Sequence, residues 1–396
     1  MFRSWKNCLT NNMNPVRNSV LLKYWNEPDR VCHYSVAEWE LFLRQARSTR
    51  LAGQWAYRLA QQESFDQIPE TAQMALDAAW TYSEHHQRAL MWEIRQVEKI
   101  LHNLDCVKIL LKGASYIYQE MEFAQGRLVS DLDVLVPKSA IQEAEKTLLD
   151  NGWESGKYDP YDQRYYRQWM HEIPPMINLQ RGMTIDMHHN ILPETSRRHL
   201  DAAPLFDSAV ALTVPESVQK ENPWAPTVSG WRSLQDVDMV IHAAVHAFQE
   251  GEIDGSLRDI IDIDGLLRQF SETSTDFWER LLDRAKQLGQ TRPLYYAIHY
   301  AHEILDTPIP DEMVKPIRKM EPGLFARSFM DATVFRALAP PTFGLRPFSA
   351  RASSFFLYAR SHYGRMPLNL LIPHLWHKAF PKDKIPEPDN DGQPMG

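Results

Sequence analysis

The sequence predicts an α+β protein in which a small mixed sheet is flanked by N-terminal and C-terminal helical regions. Three observations lead there. Residues 35–103 and 234–305 repeat apolar side chains at helical spacing. Between them, 108–192 holds short β-branched runs that alternate with period two, bounded by turn pairs such as Asn151-Gly152 and Arg181-Gly182. A chain of 396 residues with 44% hydrophobic content also has ample material for buried cores.

In chain order, the reading gives an N-terminal helical region (1–107), an α/β core (108–192), a C-terminal helical region (193–383) and a disordered tail (384–396). Met13 is a second candidate start. Ser35-Val36-Ala37-Glu38 has capping-box form and opens one helix, and Pro69-Glu70 opens a longer one through Leu90, Ile94, Val97, Leu101 and Leu104. In the core, Ser139-Ala140-Ile141-Gln142 reads as another capping box, with a helix ending near Asn151-Gly152. Aromatic-rich runs from 158 to 183 read as antiparallel strands and a hairpin, and 193–231 reads as a connection. Helices then cover 234–249, a stretch after Gly255, and 278–305. Cys8, Cys32 and Cys106 form no paired framework or metal-binding spacing, which suits a reducing compartment. With no signal-peptide h-region and no membrane-spanning apolar run, the expectation is a soluble, cytoplasmic protein.

The chemistry concentrates in Ser130-Asp131-Leu132-Asp133-Val134-Leu135-Val136. Alternation sends Asp131, Asp133 and Leu135 to one strand face and Leu132, Val134 and Val136 to the buried one. The two acids then lie about 6.5 Å apart at the backbone. At about 4 Å their charges would repel by about 4 kcal/mol at an effective dielectric of about 20, and a divalent cation relieves this. Met183-Thr184-Ile185-Asp186-Met187-His188-His189 alternates likewise, with Asp186 and His188 on one face. Three carboxylates from neighbouring strands suit Mg²⁺, with Mn²⁺ as the alternative ion.

Gly113 after the run Ile109-Leu110-Leu111, then Asp131-Leu132-Asp133-Val134, then a separate Asp186, resembles the polymerase-beta-type nucleotidyltransferase superfamily. Lys112-Gly113, Arg127 before the acid strand, and Ile185-Asp186-Met187-His188-His189 resemble more narrowly an uncharacterised bacterial nucleotidyltransferase family with helices on both sides of its core. The likeness is strongest over 108–192. Ala114 follows Gly113 where the superfamily usually has Gly or Ser, and the segment before Asp131 is longer. The resemblance implies that Asp131, Asp133 and Asp186 are catalytic metal ligands, and that a nucleoside monophosphate passes from a nucleoside triphosphate to a hydroxyl-bearing acceptor. It also places Lys112, Gly113, Ser115, Arg127 and Ser130 against the nucleotide. Gly113 would let the backbone approach phosphate, while Lys112 and Arg127 read either as phosphate contacts or as ordinary ion pairs.

Other features read two ways. His188 either lines the site or is a hydrogen-bonded structural histidine. Asp238, His242 and His246 fall at i, i+4, i+8 on one helix, with Arg258 and Asp262 on the next. These are candidate pocket residues: His242, His246, Arg258 and Asp262 could close the nucleotide site. His242, His246, Asp259 and Asp262 alternatively suggest a metal-dependent phosphohydrolase, and loss of turnover would leave a nucleotide-binding module. Residues 332–382 hold seven of the 43 Lys and Arg (Arg336, Arg346, Arg351, Arg360, Arg365, Lys378, Lys382) and none of the 51 Asp and Glu. They read preferentially as helices folded onto the protein, and otherwise as a surface for an anionic partner. A formal net charge of −8 favours a small-molecule or protein acceptor over nucleic acid.

Overall fold

The computed structural model describes residues 14–156, 160–212, 231–249, 257–342 and 346–379. The expected tail at 384–396 lies outside the described residues. The N-terminal helices form where their signals place them. At the start of α1 (Val36–Ser48), the Glu38 amide donates to the Ser35 hydroxyl and the Ser35 amide donates to the Glu38 carboxylate at 2.9 Å. This reciprocal pairing satisfies two amides that helix geometry leaves open. After α2 (Ala52–Ala60), Pro69 leads into α3 (Glu70–Ile100), which buries Leu90, Ile94 and Val97 on one face.

Among the described residues a seven-stranded mixed sheet follows. Its strands are β1 (Lys108–Leu110), β2 (Asp131–Leu135), β3 (Trp153–Ser155), β4 (Met176–Asn178), β5 (Thr184–His188), β6 (Val210–Ala211) and β7 (Trp231–Ser233). Their spatial order is β3-β4-β5-β2-β1-β7-β6. The central pair β2 and β5 is parallel, and β1 runs antiparallel to β2 and parallel to β7. Helices α4 (Lys112–Tyr118) and α5 (Ile141–Leu149) pack between this sheet and α3. Beyond the sheet come α6 (Pro160–Trp169), α7 (Ala203–Asp207), α8 (Asp236–Gln249), α9 (Leu257–Thr273), α10 (Phe277–Gln287), α11 (Thr291–Leu305), α12 (Asp311–Arg318), α13 (Leu324–Ala337), α14 (Phe348–Arg365) and α15 (Leu368–Ala379).

Four local expectations need correction. The helix expected from Ser139 starts one residue later: the Ala140 amide donates to Pro137 O in a turn, Ala140 is the N-cap and no side chain caps α5. The aromatic run after residue 158 contains α6, because Tyr161, Tyr165 and Trp169 recur every four residues and a helix puts them on one face. The β4–β5 hairpin does form, with the Asn178 side chain accepting from the Gln180 and Arg181 amides and Gly182 at φ +71°. Residues 193–231 are more than a connection, since β6 and β7 extend the sheet beyond β1. Finally, β2 is covered more fully than expected, and only Asp131 at its start is partly exposed. Leu132, Asp133, Val134 and Leu135 are all buried, with α4 packed against the strand.

A single apolar cluster runs through all three regions, joining Trp55, Leu90 and Ile94 to Val134 and Met187 and on to Val240, Ile261 and Tyr300. The helical flanks are therefore built into the same core as the sheet.

Candidate active site

Register brings the acids together. In the parallel pair of β2 and β5, Asp133 lies opposite Asp186 and Asp131 opposite Thr184, so like-facing side chains meet across the strands. Ligand oxygens of Asp131, Asp133 and Asp186 all lie within 4.8 Å of one another. Asp131 at the start of β2 and Asp186 in the middle of β5 are partly exposed, while Asp133 is buried.

Their surroundings differ sharply. Asp133 Oδ1 receives Lys112 Nζ at 3.0 Å and lies 3.0 Å from His188 Nε2. Burial alone would lift the Asp133 carboxyl, but Lys112 and His188 outweigh it and hold it well below the usual carboxylate range. For Asp186 the help from His188 is outweighed. Burial, followed by the charges of Asp133 and Glu172, pushes its carboxyl up to about 7, and its buried Oδ1 has no hydrogen-bond partner. A buried, crowded carboxylate with an unsatisfied oxygen, set among two others, suits a divalent cation bound by hard oxygen donors. The residues present thus fit the metal that the resemblance implies.

Lys112 reaches Asp133 from a left-handed backbone conformation, φ +46°, which a side-chain-bearing residue rarely adopts. Next to it, Gly113 admits a different neighbour from the phosphate expected. A Cβ there would lie 1.8 Å from Arg127 Nη1, because the Arg127 guanidinium fills that space. Arg127 cannot readily give way. It is buried and donates to both Asp262 carboxylate oxygens, through Nε at 3.0 Å and Nη2 at 2.7 Å.

Lys112, Gly113, Arg127, Ser130, Asp131 and Asp133 line one side of a cleft of about 220 Å³, and His246, Arg258 and Asp262 on α8 and α9 line the other. Arg258 Nη1 donates to Leu128 O at 2.9 Å, and His246 Nε2 lies 3.9 Å from Asp259. Ser115 is not part of this wall, being buried in α4 with its hydroxyl accepting from Gln119 Nε2 at 2.9 Å. His242 is buried in α8. It joins no metal-capable group among the described residues.

His188 belongs to the site, with Nδ1 3.3 Å from Glu172 and Nε2 on Asp133. Burial opposes its protonation, but the two carboxylates raise its pKa overall. The sequence reading did not include Glu172 or His171, which lie between α6 and β4. They form a second metal-capable group with His188. Their only sequence signal is a pair of polar residues after an aromatic run.

A family model described as Uncharacterised nucleotidyltransferase matches residues 35–306. The chain belongs to this family. The match runs from α1 through α11, so this nucleotidyltransferase family takes in the helices on both sides of the sheet as well as the acid strands. Membership implies a nucleotide substrate. No curated protein and no solved structure matches the chain. No helix among the described residues is long and apolar enough to cross a membrane.

Proposed function

We propose that this nucleotidyltransferase moves a nucleoside monophosphate from a nucleoside triphosphate to a hydroxyl-bearing acceptor and releases pyrophosphate. The observation that carries the reading is the convergence of Asp131, Asp133 and Asp186 from paired strands, with Asp131 and Asp133 lining a cleft. These three carboxylates would hold Mg²⁺, with Mn²⁺ as the alternative. When bound, the metal supplies positive charge against the α-phosphate and the departing pyrophosphate.

The protein's own groups divide the remaining work. Lys112 and His188 keep Asp133 ionised and fixed in direction. Lys112 also lines the cleft, where its ammonium can pass from Asp133 to a phosphate oxygen once other positive charge reaches the acids. In this reading Asp186 would take the acceptor's hydroxyl proton as the oxygen bonds to the α-phosphorus and the bond to the β-phosphate oxygen breaks. Arg127, held by Asp262, forms the cleft floor behind Gly113, and Arg258 adds a second guanidinium from α9. Ser130 sits at the rim beside Asp131, its hydroxyl 3.2 Å from the carboxylate. A small molecule or a protein side chain suits a cleft of this size better than a duplex, for a chain of net charge −8.

The test is incubation of the protein with each α-labelled nucleoside triphosphate, Mg²⁺ and a fractionated cell extract. The expected result is label transferred to one fraction from one or a few bases, with none transferred in chelator. Label that appears only as free nucleoside monophosphate would point to hydrolysis and contradict the transfer.

A further inference from the structure

The C-terminal helices carry an unusual exposed apolar surface. On α15, Leu368, Ile372, Leu375 and Trp376 are exposed, with Ile372 at 65% and Trp376 at 69%. Their spacing of i, i+4, i+7 and i+8 makes one apolar stripe. The helix is held from its other side: Leu371 packs with Tyr165, Met170 and Met366, and His374 stacks on Tyr165 at 4.6 Å. Helix α14 repeats the pattern with Phe348 and Phe355 exposed at 83% and 65%, seven residues apart, and exposed Arg351 between them. Phe355 and Phe356 are neighbours, and Phe356 meets Phe329 of α13 edge-on. These residues lie within the acid-free stretch that starts at residue 332, apart from Phe329 just before it.

We propose that the exposed faces of α14 and α15 dock on an anionic lipid bilayer surface. Apolar patches of this kind seldom stay in water on a soluble chain. Trp and Phe beside the exposed Arg351, in a stretch of chain with no Asp or Glu, match an interface where rings enter the headgroup layer and cations meet lipid phosphate. A second copy of the same face fits worse, because neither α14 nor α15 carries an Asp or Glu to receive the partner's Arg351. The helices would lie on the membrane rather than cross it, since none described is long and apolar enough to span. None of these residues belongs to the acid cleft, so the surface can be altered without touching it.

The test is flotation of the full-length protein with phosphatidylcholine vesicles, with and without phosphatidylglycerol. The expected result is co-flotation only with phosphatidylglycerol present, reversed by high salt. Ile372→Ser combined with Trp376→Ser should lower partition by about tenfold or more, and Arg351→Glu by a smaller factor, with far-UV circular dichroism unchanged. Absence from both vesicle types, or equal flotation with both, overturns the proposal. So does a wild-type dimer that the double substitution converts to monomer, or capture of nucleic acid by the same face.

Discussion

Asp133 and Asp186 share a register position on paired strands but carry opposite electrostatic burdens. Asp133 is compensated by Lys112 and His188, whereas Asp186 keeps a buried oxygen without a partner beside two other acids. Asp186→Asn should therefore stabilise the metal-free protein by on the order of 1–2 kcal/mol, seen as a higher melting temperature in chelator, while abolishing transfer. A lower melting temperature would mean that Asp186 has a structural partner in solution. The three acids were legible in the sequence because period two and a parallel register are enough to align them. The compensation was not. It depends on the left-handed turn at Lys112 and on the segment carrying Glu172 folding back onto β5, and neither has a local pattern.

At the scale of elements, glycine and arginine lock α4 to α9. Gly113 leaves room for the Arg127 guanidinium, which Asp262 of α9 holds through both carboxylate oxygens. Gly113→Ala should cost about 2–3 kcal/mol, read as a lower urea midpoint, since neither backbone nor guanidinium can yield cheaply. An unchanged midpoint would show that Arg127 moves aside freely. The glycine stood out in the sequence but the guanidinium packed beside it did not, because Asp262, which holds Arg127 there, lies 135 residues away in the chain. The docking of α14 near α6 and α15 carries a pH dependence. Burial, then the nearby Arg365 charge, lowers the His362 pKa to about 4, below its ordinary value of 6.5. The unfolded chain thus takes the proton first. Stability that is intact above about pH 6.5 is lost as pH falls toward 4. Limited proteolysis within α14 and α15 should quicken over that range and do so less in His362→Gln; identical acceleration in the variant would assign the effect elsewhere.

Across the whole molecule, one apolar cluster joins both helical flanks to the sheet, and the sheet takes β6 and β7 from beyond Leu192. Residues 108–192 expressed alone should therefore show no cooperative unfolding, because they would expose the surfaces now covered by α3 and α8 and leave β1 as an open edge. A sharp melting transition from that fragment would contradict this. The α+β class and the flanking helices were readable from the switch in hydrophobic period. The short β6 and β7 were not, since two- and three-residue strands carry too little alternation to register. The central claim, that the acid cleft transfers a nucleoside monophosphate, is tested most directly by Asp133→Asn. Asparagine keeps the side chain's shape and removes one formal charge from the centre that faces the α-phosphate. With α- and γ-labelled triphosphate in parallel, the wild type should pass on only the α label and release the γ label as pyrophosphate. The variant should be slower by about a thousandfold or more while its circular dichroism is kept. Equal rates for the two proteins, or transfer of the γ label, would contradict the account.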